Sequence, residues 1–210
     1  MNVFVLNTGR CGSTTFIMAC RHITNFTCAH ESRTSLLGEA RFDYPNNHIE
    51  ADNRLSWLLG RLDKTYGDNA IYIHLKRNDN DTARSYARRF SGGIMRAYRR
   101  GGILMGLREE NDPMAVALDY CHTVNSNIEL FLKDKTRKME INLESIDQDF
   151  TAFWKLIGAE GEISAALAEF RTRYHAAKMP QSDKKKNIIT RFLLKLKRLV
   201  ITLPRFIRDA

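Results

Sequence analysis

Short apolar runs of strand length alternate along the chain with longer stretches of helical periodicity, an order that predicts a β/α fold. Val3-Phe4-Val5-Leu6 suits a central parallel strand buried on both faces. It runs into the turn Asn7-Thr8-Gly9-Arg10-Cys11-Gly12, after which Ser13-Thr14-Thr15 caps a helix that begins with Phe16 and Ile17. Asn25 to Ala29 reads as a second strand ending in His30-Glu31-Ser32-Arg33. The polar, Asn- and Pro-containing stretch 38–47 reads as a loop and a flap over the strand ends. Residues 48–54 then lead into an amphipathic helix with Leu55, Leu58, Leu59 and Leu62 on one face and Asp52 as its N-cap.

Ala70 to Leu75 is the clearest strand, followed by a helix through Thr82, Ala83, Ser85, Tyr86 and Phe90. Paired glycines at 92–93 and 101–102 bracket a basic segment expected to move on the acceptor side. A long helix runs from Pro113 to Lys133 with Ala117, Tyr120, Cys121, Val124, Ile128 and Phe131 as its core stripe. Lys138 to Leu143 is the last strand, and Phe150, Phe153, Trp154 and Ile157 belong to a packing helix that ends at Gly158. The pattern predicts a single α/β domain over residues 1–183, a central parallel sheet flanked by helices, followed by a basic amphipathic tail over 184–210.

With 210 residues, 43% of them hydrophobic, the chain can bury one substantial core. Its net charge of +9 is unevenly spread. Residues 184–210 hold nine lysines and arginines against Asp209 alone, a balance of +8 that leaves +1 for residues 1–183. A nearly neutral body argues against nucleic acid as a partner. In the tail, apolar residues 189, 192, 193, 196, 199, 200, 203 and 207 form a helical stripe beside Arg191, Lys195 and Arg198. That pattern fits a helix lying on an anionic membrane surface, and equally a terminal helix packed on its own domain. Four cysteines, at 11, 20, 28 and 121, lack metal-ligand spacing, and no apolar leader or membrane-spanning run is seen. The expected location is a reducing cytoplasm, with the tail on the inner face of the membrane as an option.

The candidate chemistry gathers at strand ends. The turn before the first helix directs backbone N–H groups and the positive end of the helix dipole at one spot, and Arg10, Ser13, Thr14 and Thr15 add further donors. Such a cradle suits a phosphate or a sulfate. A Walker A loop would place Lys directly before the hydroxyl residue, whereas here Gly12 precedes Ser13 and the basic residue is Arg10. Cys11 adjoins a helix N-terminus, a setting that favours thiolate, although a small loop residue is the simpler reading. Glu31 lies 21 residues after Arg10, and Arg77 and Ser85 sit eight residues apart, the first at a strand end and the second on the following helix.

Gly9-Arg10-Cys11-Gly12-Ser13-Thr14 resembles the 5′-phosphosulfate loop of sulfotransferases that use 3′-phosphoadenosine-5′-phosphosulfate, PAPS. Arg77 with Ser85 resembles that family's grip on the nucleotide 3′-phosphate. Ala29-His30-Glu31-Ser32-Arg33 is similar to the Gly-Glu-Glu-Thr-Arg segment of tyrosylprotein sulfotransferases, in which the second Glu is the proposed base. The chain differs in having Arg10 and Cys11 where the cytosolic enzymes have Lys and Ser, and His30 where the tyrosine-modifying ones have Glu. The resemblance covers about residues 2–90.

It implies a P-loop-like sulfotransferase fold and transfer of a sulfuryl group from PAPS to a hydroxyl or amine, with a glycan or lipid-linked glycan as the expected acceptor and no metal. It further implies that Glu31 and Arg10 are catalytic, and that Arg10, Cys11, Gly12, Ser13, Thr14, Thr15, Arg77 and Ser85 hold the nucleotide, with Arg173 and Lys178 at the place of a late basic loop. His30, Arg33 and Arg54 are left to the acceptor. Two other readings stay open: a P-loop kinase or NTPase with a degenerate loop, and a non-catalytic, membrane-associated nucleotide-binding module.

Overall fold

A computed structural model describes residues 1–105, 107 and 111–172. Its centre is a five-stranded, wholly parallel sheet in the order β2-β3-β1-β4-β5. The strands are β1 (Val3–Asn7), β2 (Thr27–His30), β3 (His48–Ala51), β4 (Ile71–Lys76) and β5 (Lys138–Asn142). The helices are α1 (Ser13–Cys20), α2 (Leu59–Tyr66), α3 (Asp79–Ala87), α4 (Gly93–Ala97), α5 (Pro113–Leu132), α6 (Ile146–Leu156) and α7 (Ile163–Glu169).

Successive β1 side chains point to opposite faces and seed two cores. Val3 and Val5 pack with Phe16 and Ile17 of α1 and with Phe150 and Phe153 of α6, while Phe4 and Leu6 pack with Leu62, Tyr86, Tyr120 and Val124 of α2, α3 and α5. Helices on both faces explain why β1 reads as an unbroken apolar run. The long helix α5 starts at Pro113, where Asp112 accepts from the N–H groups of Met114 (3.1 Å) and Ala115 (3.2 Å).

The structure corrects the expected topology at residues 48–51, taken from the sequence as an approach to a helix. His48-Ile49-Glu50-Ala51 is β3, inserted between β1 and β2. It carries no apolar run because one of its faces buries His48 and Glu50, which are hydrogen-bonded to each other (3.1 Å). The expected flap is anchored at its middle: Arg41 is buried, paired with the buried Asp52 and donating to Tyr44 Oη (2.9 Å), and Phe42 and Tyr44 are buried with it, while the residues around them are exposed. The segment bracketed by paired glycines is likewise held, by burial of Met95, Tyr98 and Arg99 and by the Arg99 guanidinium stacked 4.2 Å from the Phe90 ring centroid. Arg173, Lys178 and the whole tail lie outside the described residues.

Candidate active site

In a doubly wound parallel sheet the carboxyl ends of the strands form a crevice, and of the candidate residues Arg10, Gly12, Ser13, Thr14, Thr15, His30 and Glu31 line it. A cleft of about 140 Å³ is lined by Gly9, Arg10, Gly12, Ser13, Thr14, Thr15, His30, Glu31, Asn53 and Tyr86. A larger cleft, of about 730 Å³, lies between the 39–43 segment and α2 and contains none of the candidate residues.

The loop takes its shape from its own polar atoms. Asn7 Oδ1 accepts the Gly9 N–H (2.8 Å) and the Cys11 thiol (3.5 Å), while the Thr8 carbonyl accepts two hydroxyls, from Tyr86 of α3 (2.6 Å) and Tyr120 of α5 (2.7 Å). Gly9 is required there: its φ is +77°, and a Cβ would fall 2.4 Å from Tyr86 Oη and 2.6 Å from Asn53 Nδ2. Gly12, at φ +89°, immediately precedes α1, and the first backbone bond of that helix runs from the Phe16 N–H to the Gly12 carbonyl (2.9 Å). The earlier N–H groups of the first turn have no partner inside the helix and stand at the cleft. Cys11 turns its side chain into the core, where burial pushes its thiol up to about 11. Its sulfur is a packed neutral group, so only its backbone can serve a ligand.

Arg10, itself left-handed at φ +59°, donates from Nε to Ser85 Oγ (3.1 Å), and the Arg77 guanidinium reaches the Arg10 carbonyl (3.4 Å). Three of the candidate nucleotide residues therefore converge although 75 positions separate Arg10 from Ser85. Burial lowers the pKa of Arg10, and the nearby positive charges of Arg89 and Arg77 lower it further. Guanidinium groups gathered this way suit an anion, and Arg77 is partly balanced by Asp81 (3.9 Å). Arg89, exposed in the turn just after α3, had no signal in the sequence beyond its spacing from Ser85, four residues earlier.

On the opposite wall His30 Nε2 lies 3.0 Å from Ser13 Oγ, and Glu31 Oε2 lies 2.7 Å from Arg54. Burial works against the charge of Arg54, but the hydrogen bond and charge of Glu31 outweigh it and raise its pKa. Arg33 does not line the cleft; it donates to the Ala40 carbonyl (2.8 Å) and stacks over Tyr44. Glu31 has φ +53°, a conformation that costs a non-glycine residue on the order of 1–2 kcal/mol and so needs outside support. Asn53 and Tyr86 line the cleft without having been expected there; Tyr86 lies next to Ser85, and Asn53 follows the unrecognised strand.

No protein-family model matches the chain, and no curated protein matches it. Solved structures do. Mouse sulfotransferase SULT7A1 complexed with PAP superposes with a TM-score of 0.53 at 15% identity, covering 81% of this chain and 63% of that one. The chain therefore spans less than two thirds of the mouse protein's length. The sulfotransferase domain from the curacin biosynthetic pathway gives 0.55 at 17% identity, covering 85% of this chain and 80% of that domain. At such identities the likeness is one of architecture, and the parallel sheet with its flanking helices is that of the PAPS-dependent sulfotransferase fold.

Proposed function

We propose that this chain transfers a sulfuryl group from PAPS to a hydroxyl or amine acceptor, a glycan or lipid-linked glycan being the acceptor class we favour. The observation that carries the reading is the meeting of Arg10, Arg77 and Ser85 beside a glycine-shaped loop, with Glu31 lining the same cleft. The residues fit the donor. Gly9 and Gly12 let the loop pack closely against Tyr86, Asn53 and Leu143 and so hold its backbone at the cleft, and Arg77 with Ser85 offers a bidentate donor and a hydroxyl to a 3′-phosphate. Arg173 and Lys178 are proposed to add positive charge from the late segment.

PAPS supplies a sulfuryl group on a phosphate leaving group. Glu31 takes the proton from the acceptor as its oxygen or nitrogen attacks in line, while Arg54 holds the carboxylate by Oε2 (2.7 Å) and leaves the proton to Oε1. Arg10 and the N–H groups at the start of α1 face the bridging oxygen, where charge develops as the bond to sulfur breaks. His30, Arg33 and Arg54 are assigned to the acceptor side, Arg33 through the 38–44 segment that it braces.

Ligand choice tests the reading directly. Without Mg²⁺, adenosine 3′,5′-bisphosphate (PAP) should raise the melting temperature well above the effect of ATP or AMP, since a ligand at 100 times its Kd contributes about 2.7 kcal/mol. Equal shifts with ATP, or a shift that appears only with Mg²⁺, would favour the kinase reading instead.

A further inference from the structure

We propose that Glu50, inside β3, is a positioning residue that holds Glu31 in the cleft; the proposal rests on the sulfotransferase reading for what Glu31 does there. Glu50 is fully buried, yet its carboxyl group reaches across to the turn after β2. Oε1 accepts the Ser32 N–H (2.7 Å), and Oε2 accepts the Ser32 hydroxyl (2.7 Å) while lying 3.1 Å from His48 Nε2. The other ring nitrogen of His48 is 2.8 Å from Thr27 Oγ1, so the group is tied into β2 as well.

A buried carboxyl is costly unless its oxygens are satisfied, and here the protein meets that requirement with the residue adjoining Glu31. Glu31 is bracketed: its own N–H binds the Ala51 carbonyl (3.0 Å) and the next N–H binds Glu50, so two consecutive residues of β3 fix the backbone on either side of a left-handed residue. Two further contacts hold Glu31: Arg54 pairs with its Oε2 (2.7 Å), and the Thr34 hydroxyl donates to its carbonyl (3.3 Å). Glu50 keeps the turn in place while Glu31 takes the proton. It touches neither donor nor acceptor, so its effect on chemistry has to pass through Glu31.

That requirement makes a double-mutant cycle decisive. The probe is PAPS in water, read as PAP release. Water attacks sulfur, the bond from sulfur to the phosphate oxygen breaks, Glu31 takes the proton, and PAP and sulfate leave. Glu50→Gln keeps the size of the side chain but puts an amide donor where an acceptor is needed. It should slow PAP release about tenfold or more while leaving the PAP-induced melting shift unchanged, and it should add nothing in a Glu31→Gln background. Equal losses in both backgrounds, or no loss at all, would overturn the proposal. Should Glu50→Gln fail to fold, Ser32→Ala removes one of the two bonds from the exposed side and must show the same non-additivity. Amide exchange at Ser32 separates this proposal from the functional reading: faster exchange in Glu50→Gln supports the anchoring even if the wild type proves not to bind PAP, and unchanged exchange sinks it even if the wild type is active.

Discussion

At Gly9 one added methyl group would meet two side chains that the loop cannot spare, Tyr86 and Asn53, at a backbone angle that favours glycine. Gly9→Ala should therefore destabilise the protein by about 1–3 kcal/mol and weaken PAP binding, because Tyr86 would lose its bond to the Thr8 carbonyl. Calorimetry with and without PAP checks both halves; an unperturbed Tm would mean that the loop relaxes freely. Arg77→Ala acts differently, since the side chain sits at the surface of the loop and not beneath it: Tm should change little while the preference for PAP over AMP disappears. Glu31→Gln separates chemistry from binding. Turnover should drop about 10²–10⁴-fold at unchanged PAP affinity, and loss of PAP binding in that variant would mark Glu31 as structural.

Among the elements, those legible in the sequence are those whose burial is apolar. The stripe of α5, the run of β1 and the aromatic face of α6 declare themselves, and Asp112-Pro113 marks the start of α5. Asp112→Ala removes the acceptor of two N–H groups and should cost about 1 kcal/mol, a Tm drop of about 2–4 °C; an unchanged Tm would show that the cap is dispensable. By contrast β3 was hidden because His48 and Glu50 are buried through mutual hydrogen bonds, and no count of apolar positions registers that. The candidate site was picked out by glycine, arginine and glutamate at fixed spacing, and the structure gathers Arg10, Arg77 and Ser85 by hydrogen bonds, whereas Asn53 and Glu50 take their places from the strand that went unseen. In β4 the buried His74, 3.2 Å from Asn125 Oδ1, has a pKa lowered by burial from its ordinary 6.5. The unfolded chain binds that proton more readily, so stability is retained above about pH 6.5 and lost as pH falls below it. The wild type should lose more Tm between pH 7.5 and pH 5.5 than His74→Gln, and equal losses would exclude His74 as the cause.

For the whole molecule, the separation of charge sets the prediction: residues 1–183 carry +1 and residues 184–210 carry +8. We propose that the tail binds anionic membrane. The intact protein should sediment with phosphatidylglycerol vesicles and be released by salt, since each surface Lys or Arg contributes about 1 kcal/mol that screening removes. Deleting residues 187–210 should abolish sedimentation and spare PAP binding, and replacing Leu196 and Leu199 by Ser with every charge kept should weaken it. Unfolding on deletion would instead place the stripe against the protein body. Among the described residues no helix is long and apolar enough to cross a membrane. The strand order has a further consequence, for synthesis. β1 is made first yet lies at the centre, between β3 and β4, so its two edges find partners only after residues 51 and 76 have been translated. The clamp on Thr8 waits longer still, for Tyr120. Until residue 76 has been made the nascent chain presents an apolar strand with at least one open edge, and that early, ribosome-bound stage is when its β1 edge is most open to wrong pairing.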